Sequence, residues 1–173
     1  SLRDALLWSH GLLDEGQRRV LRRLAVFRGG FSLEAAQWVC SDSDRVDRPA
    51  GAAGDWGVLD ALHALAEKSL LGEAVEPEAA RLAGQAPRFK LQESVRAFAL
   101  EQLTQAGELP ATQARHARAV QRYWAQADAR SLSDPALSWV TRHLPEVDNL
   151  RAALRWASAE AALAPAAESN SGS

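Results

Sequence analysis

Residues 58–71, VLDALHALAEKSLL, and residues 88–103, RFKLQESVRAFALEQL, decide the architecture between them. In the first stretch Val58, Leu59, Leu62, Leu65 and Ala66 recur at helical spacing up to Lys68, which predicts a helix starting at Asp55. From Ser69 to Ala74 the chain turns apolar without that spacing, as a strand does, and Arg88 to Leu91 reads as a second strand. Glu76 to Ala86 is a loose connection, so the two strands make a long-tipped hairpin that delivers the chain into a helix over Glu93 to Ala106.

Upstream, Leu6, Leu7, Leu12 and Leu13 begin an apolar stripe. Asp14 and Gln17 then have the spacing of a capping box, opening a helix through Ala25 that buries Val20, Leu21 and Leu24. Gly29 and Gly30 end this segment by allowing positive φ, and Ser32 caps a short helix from Leu33 to Cys40. Residues 41–54, SDSDRVDRPAGAAG, lack periodicity and read as a loop. The order helix, helix, helix, hairpin, helix is that of a winged helix, a helix-turn-helix derivative whose third helix usually faces DNA.

Downstream the chain is purely helical. Gly107 to Pro110 punctuates, a helix runs from Ala111 to Ala129, Pro135 starts a short one, and Pro145 starts the last, with Val147, Leu150, Leu154 and Ala157 as its apolar stripe. The expected fold is therefore mainly α: a winged-helix domain with a small β-hairpin over residues 1–106, an antiparallel, repeat-like helical extension over 108–162, and a disordered tail over 163–173.

With 20 basic and 22 acidic side chains the formal charge is −2, which argues against a role in coating nucleic acid. At 47% hydrophobic residues the chain has the material for a real core, and disorder of the whole is excluded. No apolar run approaches the roughly 20 residues that cross a bilayer, so a cytoplasmic location is expected. The chain contains no Met, which suggests a piece of a longer protein. Its one cysteine, Cys40, is read as a buried thiol.

Several strings carry more than periodicity does: SLRDALLWSHGLL, VLRRLAVFRGGFSLEAAQWVC, VLDALHALAEKSLL, RFKLQESVRAFALEQL and EVDNLRAALRWA. In this order they resemble the winged-helix and helical-repeat (TPR-like) region C-terminal to the NB-ARC domain in bacterial STAND-type ATPase transcriptional regulators, over residues 1 to about 160. The resemblance implies a parent with a DNA-binding effector domain and a P-loop ATPase. The nucleotide-binding domain of that same chain would be the winged helix's partner, and proteins or an inducer would bind the extension. ATP or ADP would belong to the parent, because no GxxxxGK[ST] motif occurs in this chain and no catalysis is expected of it. Relatives of the wider class place a Met-His-Asp motif at the start of the helix after the hairpin, where the His meets the ADP β-phosphate. Leu91, Gln92 and Glu93 match those positions, which makes Gln92 and Glu93 nucleotide-sensor candidates; Gln92 offers an amide donor but no switchable charge.

Two further sets follow from the residues themselves. Arg88 and Lys90 on the second strand are the candidates for DNA contact, although the third helix, with Asp55, Asp60 and Glu67 and only His63 as a donor, would repel a phosphate backbone. Arg18, Arg19, Arg22 and Arg23 form the densest basic cluster, with Trp56 an interdomain-contact candidate beside them; the arginines would meet an acidic surface, on another domain or around Asp42, Asp44 and Asp47, or else form a solvated face. Trp8, Trp38, Trp124 and Trp156 are read as packing anchors. The four histidines show no metal-ligand spacing, and no catalytic triad is present. Besides conformational regulation, two other functions fit: a DNA-binding winged-helix module of a transcription factor, or a self-associating helical scaffold.

Overall fold

The computed structural model describes residues 1–42, 55–75, 78–82, 84–131 and 135–164. The expected loop beyond Asp42, the tail from Pro165 and the side chain of Trp56 lie outside the described residues.

The molecule is mainly helical with a small three-stranded antiparallel sheet. Helix α1 (Leu2–Gly11) is followed by α2 (Glu15–Leu24), whose Asp14–Gln17 capping box forms as the spacing predicts: the Asp14 carboxylate accepts from the Gln17 N–H at 2.8 Å, and the Gln17 amide oxygen accepts from the Asp14 N–H at 3.1 Å. Strand β1 (Phe31–Ser32) leads into α3 (Leu33–Cys40), capped by Ser32. Helix α4 (Asp55–Glu67) precedes β2 (Gly72–Glu73), a short helix α5 (Glu78–Leu82) and β3 (Arg88–Lys90). Helix α6 (Glu93–Gln105) then runs back under α2.

Strand order is β1-β3-β2, with Phe31 opposite Phe89 and Gly72 opposite Lys90. Three helices with this strand order make a winged helix. Two residues of β1 are too few for a period-two signal, so this strand is absent from the sequence expectation. It exists because Gly29, at φ +72°, turns the chain, and because Gly30 lets it approach β3: a Cβ there would meet the Ala74 side chain at 3.0 Å and the Phe89 carbonyl at 3.4 Å. The two adjacent glycines thus do different jobs, φ at the first and space at the second. Helix α5 is likewise unforeseen, set in the connection expected to be loose.

Leu21, Leu24, Val39, Leu62 and Leu65 are fully buried where α2, α3, α4 and α6 meet, and Phe31 fills the end nearest the sheet. Each such side chain contributes roughly 1.5–3 kcal/mol by leaving water. Cys40 is buried in this core as expected, and burial pushes its thiol up to about 12, so it is inert as a nucleophile near neutrality. One anchor is not where the apolar pattern puts it. Trp8 is 70% exposed, and Leu7 and Leu12 are also exposed, because α1 reaches the core only through Leu6 and rests on α6 by an Arg3–Glu101 ion pair and a His10–Phe98 ring contact.

After α6, Gly107 at φ +70° turns the chain into α7 (Leu109–Ser131), which is followed by α8 (Ala136–His143), a 3₁₀ turn (Leu144–Glu146) and α9 (Val147–Leu163). Helices α7 and α9 pack together, and Tyr123, Trp124, Trp139 and His143 make an aromatic cluster where α8 closes against α7. The expected stripe on α9 holds only at its start: Val147 and Leu150 are half-buried, but Leu154 is 57% exposed and Ala157 is exposed, while Asn149 and Ala153 are buried with Trp156 half-buried. The cause is polar: Asn149 is drawn to a partner that no apolar count registers.

Candidate functional site: the seam between winged helix and helical extension

Two sets of polar contacts join the helical extension to the winged helix. In the first, the turn after α6 places Glu108 just ahead of α7, opposite the basic face of α2. Its two carboxylate oxygens accept from Arg22 Nε at 2.8 Å and from Arg23 Nε at 2.7 Å. Arg23 also donates to the Cys40 carbonyl at 2.8 Å and to Asp42 at 2.7 Å, so one guanidinium ties α2, the end of α3 and the start of α7. Burial pushes the Glu108 carboxyl up, but the hydrogen bonds from Arg23 and Arg22 together outweigh it and hold it below the usual glutamate value. The hydrogen bond from Arg23 likewise holds Asp42 below its usual value.

In the second set, Asn149 is 1% exposed and uses both ends of its amide. Its oxygen accepts from the Arg28 backbone N–H at 2.8 Å; its nitrogen donates to the Gly30 carbonyl at 3.0 Å and to Glu146 at 3.1 Å. The two kinds of backbone partner fix the amide orientation. The other Glu146 oxygen pairs with Arg88, which also donates to the Gly30 carbonyl at 2.7 Å. His116, on α7, lies 3.4 Å from the Asn149 oxygen and edge-on to Phe27. Burial pushes the His116 imidazole down, so near neutrality it is uncharged and its Nε2–H donates to Asn149. The strings FRGGF and DNLRAAL, 121 residues apart at Arg28 and Asn149, are thus bonded to each other.

Between these sets, α7 lies along α3: Arg115 donates to the Val39 carbonyl at 2.9 Å, and Arg122 sits 4.5 Å over the Trp38 ring. Polar contacts of this kind favour one geometry, since donor and acceptor must meet at fixed distance and angle.

The residues singled out from the sequence fall into separate places. Arg22 and Arg23 are in the seam, their partner Glu108 having no local signal; the solvated face expected of them does not hold, because each is largely covered. Arg19 remains exposed and pairs with Asp42 at 3.3 Å. Arg18 donates to the His10 and Gly11 carbonyls and so closes the end of α1. Asp44 and Asp47 lie outside the described residues. Arg88, a DNA-contact candidate, is turned into the molecule, held by Glu146 and the Gly30 carbonyl, while Lys90 is exposed. Gln92 caps α6 by position but makes no side-chain cap bond, and its amide is exposed. Glu93 beside it pairs with Arg96 at 2.9 Å, whose hydrogen bond holds the Glu93 carboxyl below its usual value. On α4 the exposed polar side chains among the described residues are Asp60, His63 and Glu67. Sequence reasoning missed Glu108, Glu146, Asn149 and His116. The signal for one of them was present: Asn149, Ala153 and Trp156 share a helical face.

No group of three or more metal-ligating side chains occurs among the described residues, and no helix among them is long and apolar enough to cross a membrane.

No family model matches the chain, and no solved structure matches it. Among curated proteins it is 39% identical over 160 residues, 90% of its length, to a protein of Mycobacterium tuberculosis named "putative HTH-type transcriptional regulator" and to one so named in Mycobacterium bovis. It is also 37% identical over 109 residues to an uncharacterized Mycobacterium tuberculosis protein. The chain spans 16% of the length of the named regulators, and the similarity runs through both the winged helix and the extension.

Proposed function

We propose that the chain is a non-catalytic regulatory segment of a transcriptional regulator, in which the winged helix grips neighbouring protein domains and passes their state to the helical extension. The observation that carries this reading is the seam. Asn149 and Glu108 bind the extension to the winged helix through satisfied polar groups, an arrangement that is either made or broken and so suits a part that relays a state. The named relatives support a regulatory role. The exposed carboxylates of Asp60 and Glu67 on α4 support a protein partner over a polyanion.

In the parent envisaged here, a STAND-type ATPase with an NB-ARC domain, ATP and ADP bind that neighbouring domain, and the α6 start faces it. Gln92 is its sensor candidate, since its exposed amide has no partner among the described residues while Glu93 is engaged by Arg96. A cytoplasmic location and a TPR-like character for the extension belong to the same proposal.

The second reading, direct DNA binding, is favoured by the printed name of the relatives and by the winged-helix topology. Mobility shift of duplex DNA by this chain at low salt separates the two. No retardation is expected. Retardation that fades steeply with salt would overturn the protein-contact reading, and concentration-dependent mass in light scattering would favour a self-associating scaffold instead.

A further inference from the structure

We propose that a cleft along the seam binds a small organic anion with a flat apolar body, an aromatic carboxylate in chemical class. The cleft measures about 400 Å³ and is walled by the end of α2, by α6, by the start of α7 and by α9. That volume lies within the roughly 300–1,000 Å³ of small-molecule sites. Its apolar walls include Val26, Leu100, Leu109 and the half-buried Trp156, whose indole offers aromatic contact to a ring.

The charge in the cleft has one sign in excess. Arg28, Arg96 and Arg155 line it, against the single carboxylate of Glu160. Arg96 is committed, donating to the Ala25 carbonyl at 3.2 Å and pairing with Glu93. The guanidiniums of Arg28 and Arg155 are exposed and have no hydrogen bond or ion pair among the described residues. A guanidinium matches a carboxylate through two parallel N–H donors, and does so best beside a low-dielectric wall. Cations are repelled by this lining, and a neutral apolar molecule would leave both guanidiniums unused. His116, buried in the wall, is uncharged and leaves room for apolar contact.

The walls come from both sides of the seam, so a molecule bound here touches winged helix and extension together. Binding only while the seam is intact would stabilise the seam by mass action. That consequence rests on the coupling reading above; the binding itself does not.

The test titrates the 173-residue chain with 2-naphthoate by calorimetry and saturation-transfer NMR, with 2-naphthol as the same body uncharged and inorganic phosphate as charge without the body. Expected is saturable one-to-one binding of 2-naphthoate, at least ~10-fold weaker for 2-naphthol, for phosphate and for the Arg28→Gln/Arg155→Gln double variant, in line with a charge-assisted pair at a partly desolvated site. Both replaced side chains are exposed, so the variant's thermal unfolding should match the parent chain's, and Trp156→Leu provides a second variant that weakens binding through the ring. Absence of saturable binding overturns the proposal. So does 2-naphthoate binding that ignores the double substitution, and so does phosphate binding as tightly as 2-naphthoate, which would mark an adventitious ion only. Intact 2-naphthoate binding in a protein whose Asn149→Ala variant regulates normally would sink the coupling reading and leave the cleft standing.

Discussion

The winged-helix core is held by apolar burial alone, whereas the seam adds directional polar contacts to its packing. In the core, Leu21, Leu24, Leu62 and Leu65 make no directional bond, and their contribution grows with buried area. The seam has apolar packing too, Ala119 of α7 resting on the core and the His116 ring on Phe27, but Asn149, Glu146, Glu108 and His116 add partners at 2.7–3.4 Å that the core lacks. An apolar interface loosens gradually as it is trimmed. A polar one fails abruptly, since each group left without its partner keeps the full cost of its desolvation. On the regulatory reading proposed above, the first region would keep a fixed body and the second would be where the extension parts from it.

The sharpest way to break the contrast is a pair of truncations. Leu62→Ala removes a core side chain that is 2% exposed and is expected to cost about 2–5 kcal/mol, felt through the whole winged helix. Asn149→Ala strands the Arg28 N–H, the His116 Nε2–H and one Glu146 oxygen, and leaves the Gly30 carbonyl to Arg88 alone, for about 2–4 kcal/mol. That second loss should be confined. Native-state hydrogen exchange should show protection falling in α9 and the start of α7 while α2, α4 and α6 keep theirs. Equal loss of protection across both regions would mean that the seam is simply more core.

Legibility in the sequence divides along the same line. The caps at Asp14 and Ser32 could be read because donor and acceptor are three residues apart, and the helices of the core could be read because leucine spacing repeats. The seam could not. Glu108 sits in a stretch that reads as punctuation, and its partners Arg22 and Arg23 lie 86 and 85 residues away on what resembles a solvated face. Asn149 looks like a polar interruption of the Val147–Leu150–Leu154 stripe, yet it is the residue that sets the helix rotation. Trp8 errs in the other direction: size and a helical position suggest an anchor, but α1 has only one face near the core, and Trp8 is on another.

A milder break is Glu108→Gln, which keeps the shape and removes the charge. Arg23 retains Asp42 and the Cys40 carbonyl, and Arg22 retains Glu15, so the loss should be about 1–2 kcal/mol, below that of Asn149→Ala. Glu108 has a folded pKa below its unfolded one, so its contribution is complete above the usual glutamate value and disappears as pH falls through the folded value. Urea unfolding followed by ring fluorescence across pH 3–7 checks both points: the acid-side slope should be shallower in Glu108→Gln. An identical slope would remove Glu108 from the clasp.

The smallest effect concerns His116, and it separates the two regions by pH instead of by mutation. Its folded pKa is depressed chiefly by burial, with the hydrogen bond to Asn149 and the charge of Glu146 pulling the other way. The unfolded chain therefore takes up a proton before the folded one. His116's stabilising contribution is complete above the unfolded value, about 6.5, and is lost as pH falls toward the lower folded value. His10, also depressed by burial, follows the same direction but lies against Phe98 in the winged helix, outside the seam. Location is therefore the discriminating readout. Exchange rates at matched intrinsic chemistry should rise in α7 and α9 between pH 7.5 and 5.5, and His116→Gln, which keeps a donor for Asn149 without a titrating ring, should flatten that rise while leaving any response near His10 unchanged. If His116→Gln keeps the full pH response in α9, the proton acts elsewhere and the seam is indifferent to protonation in this range.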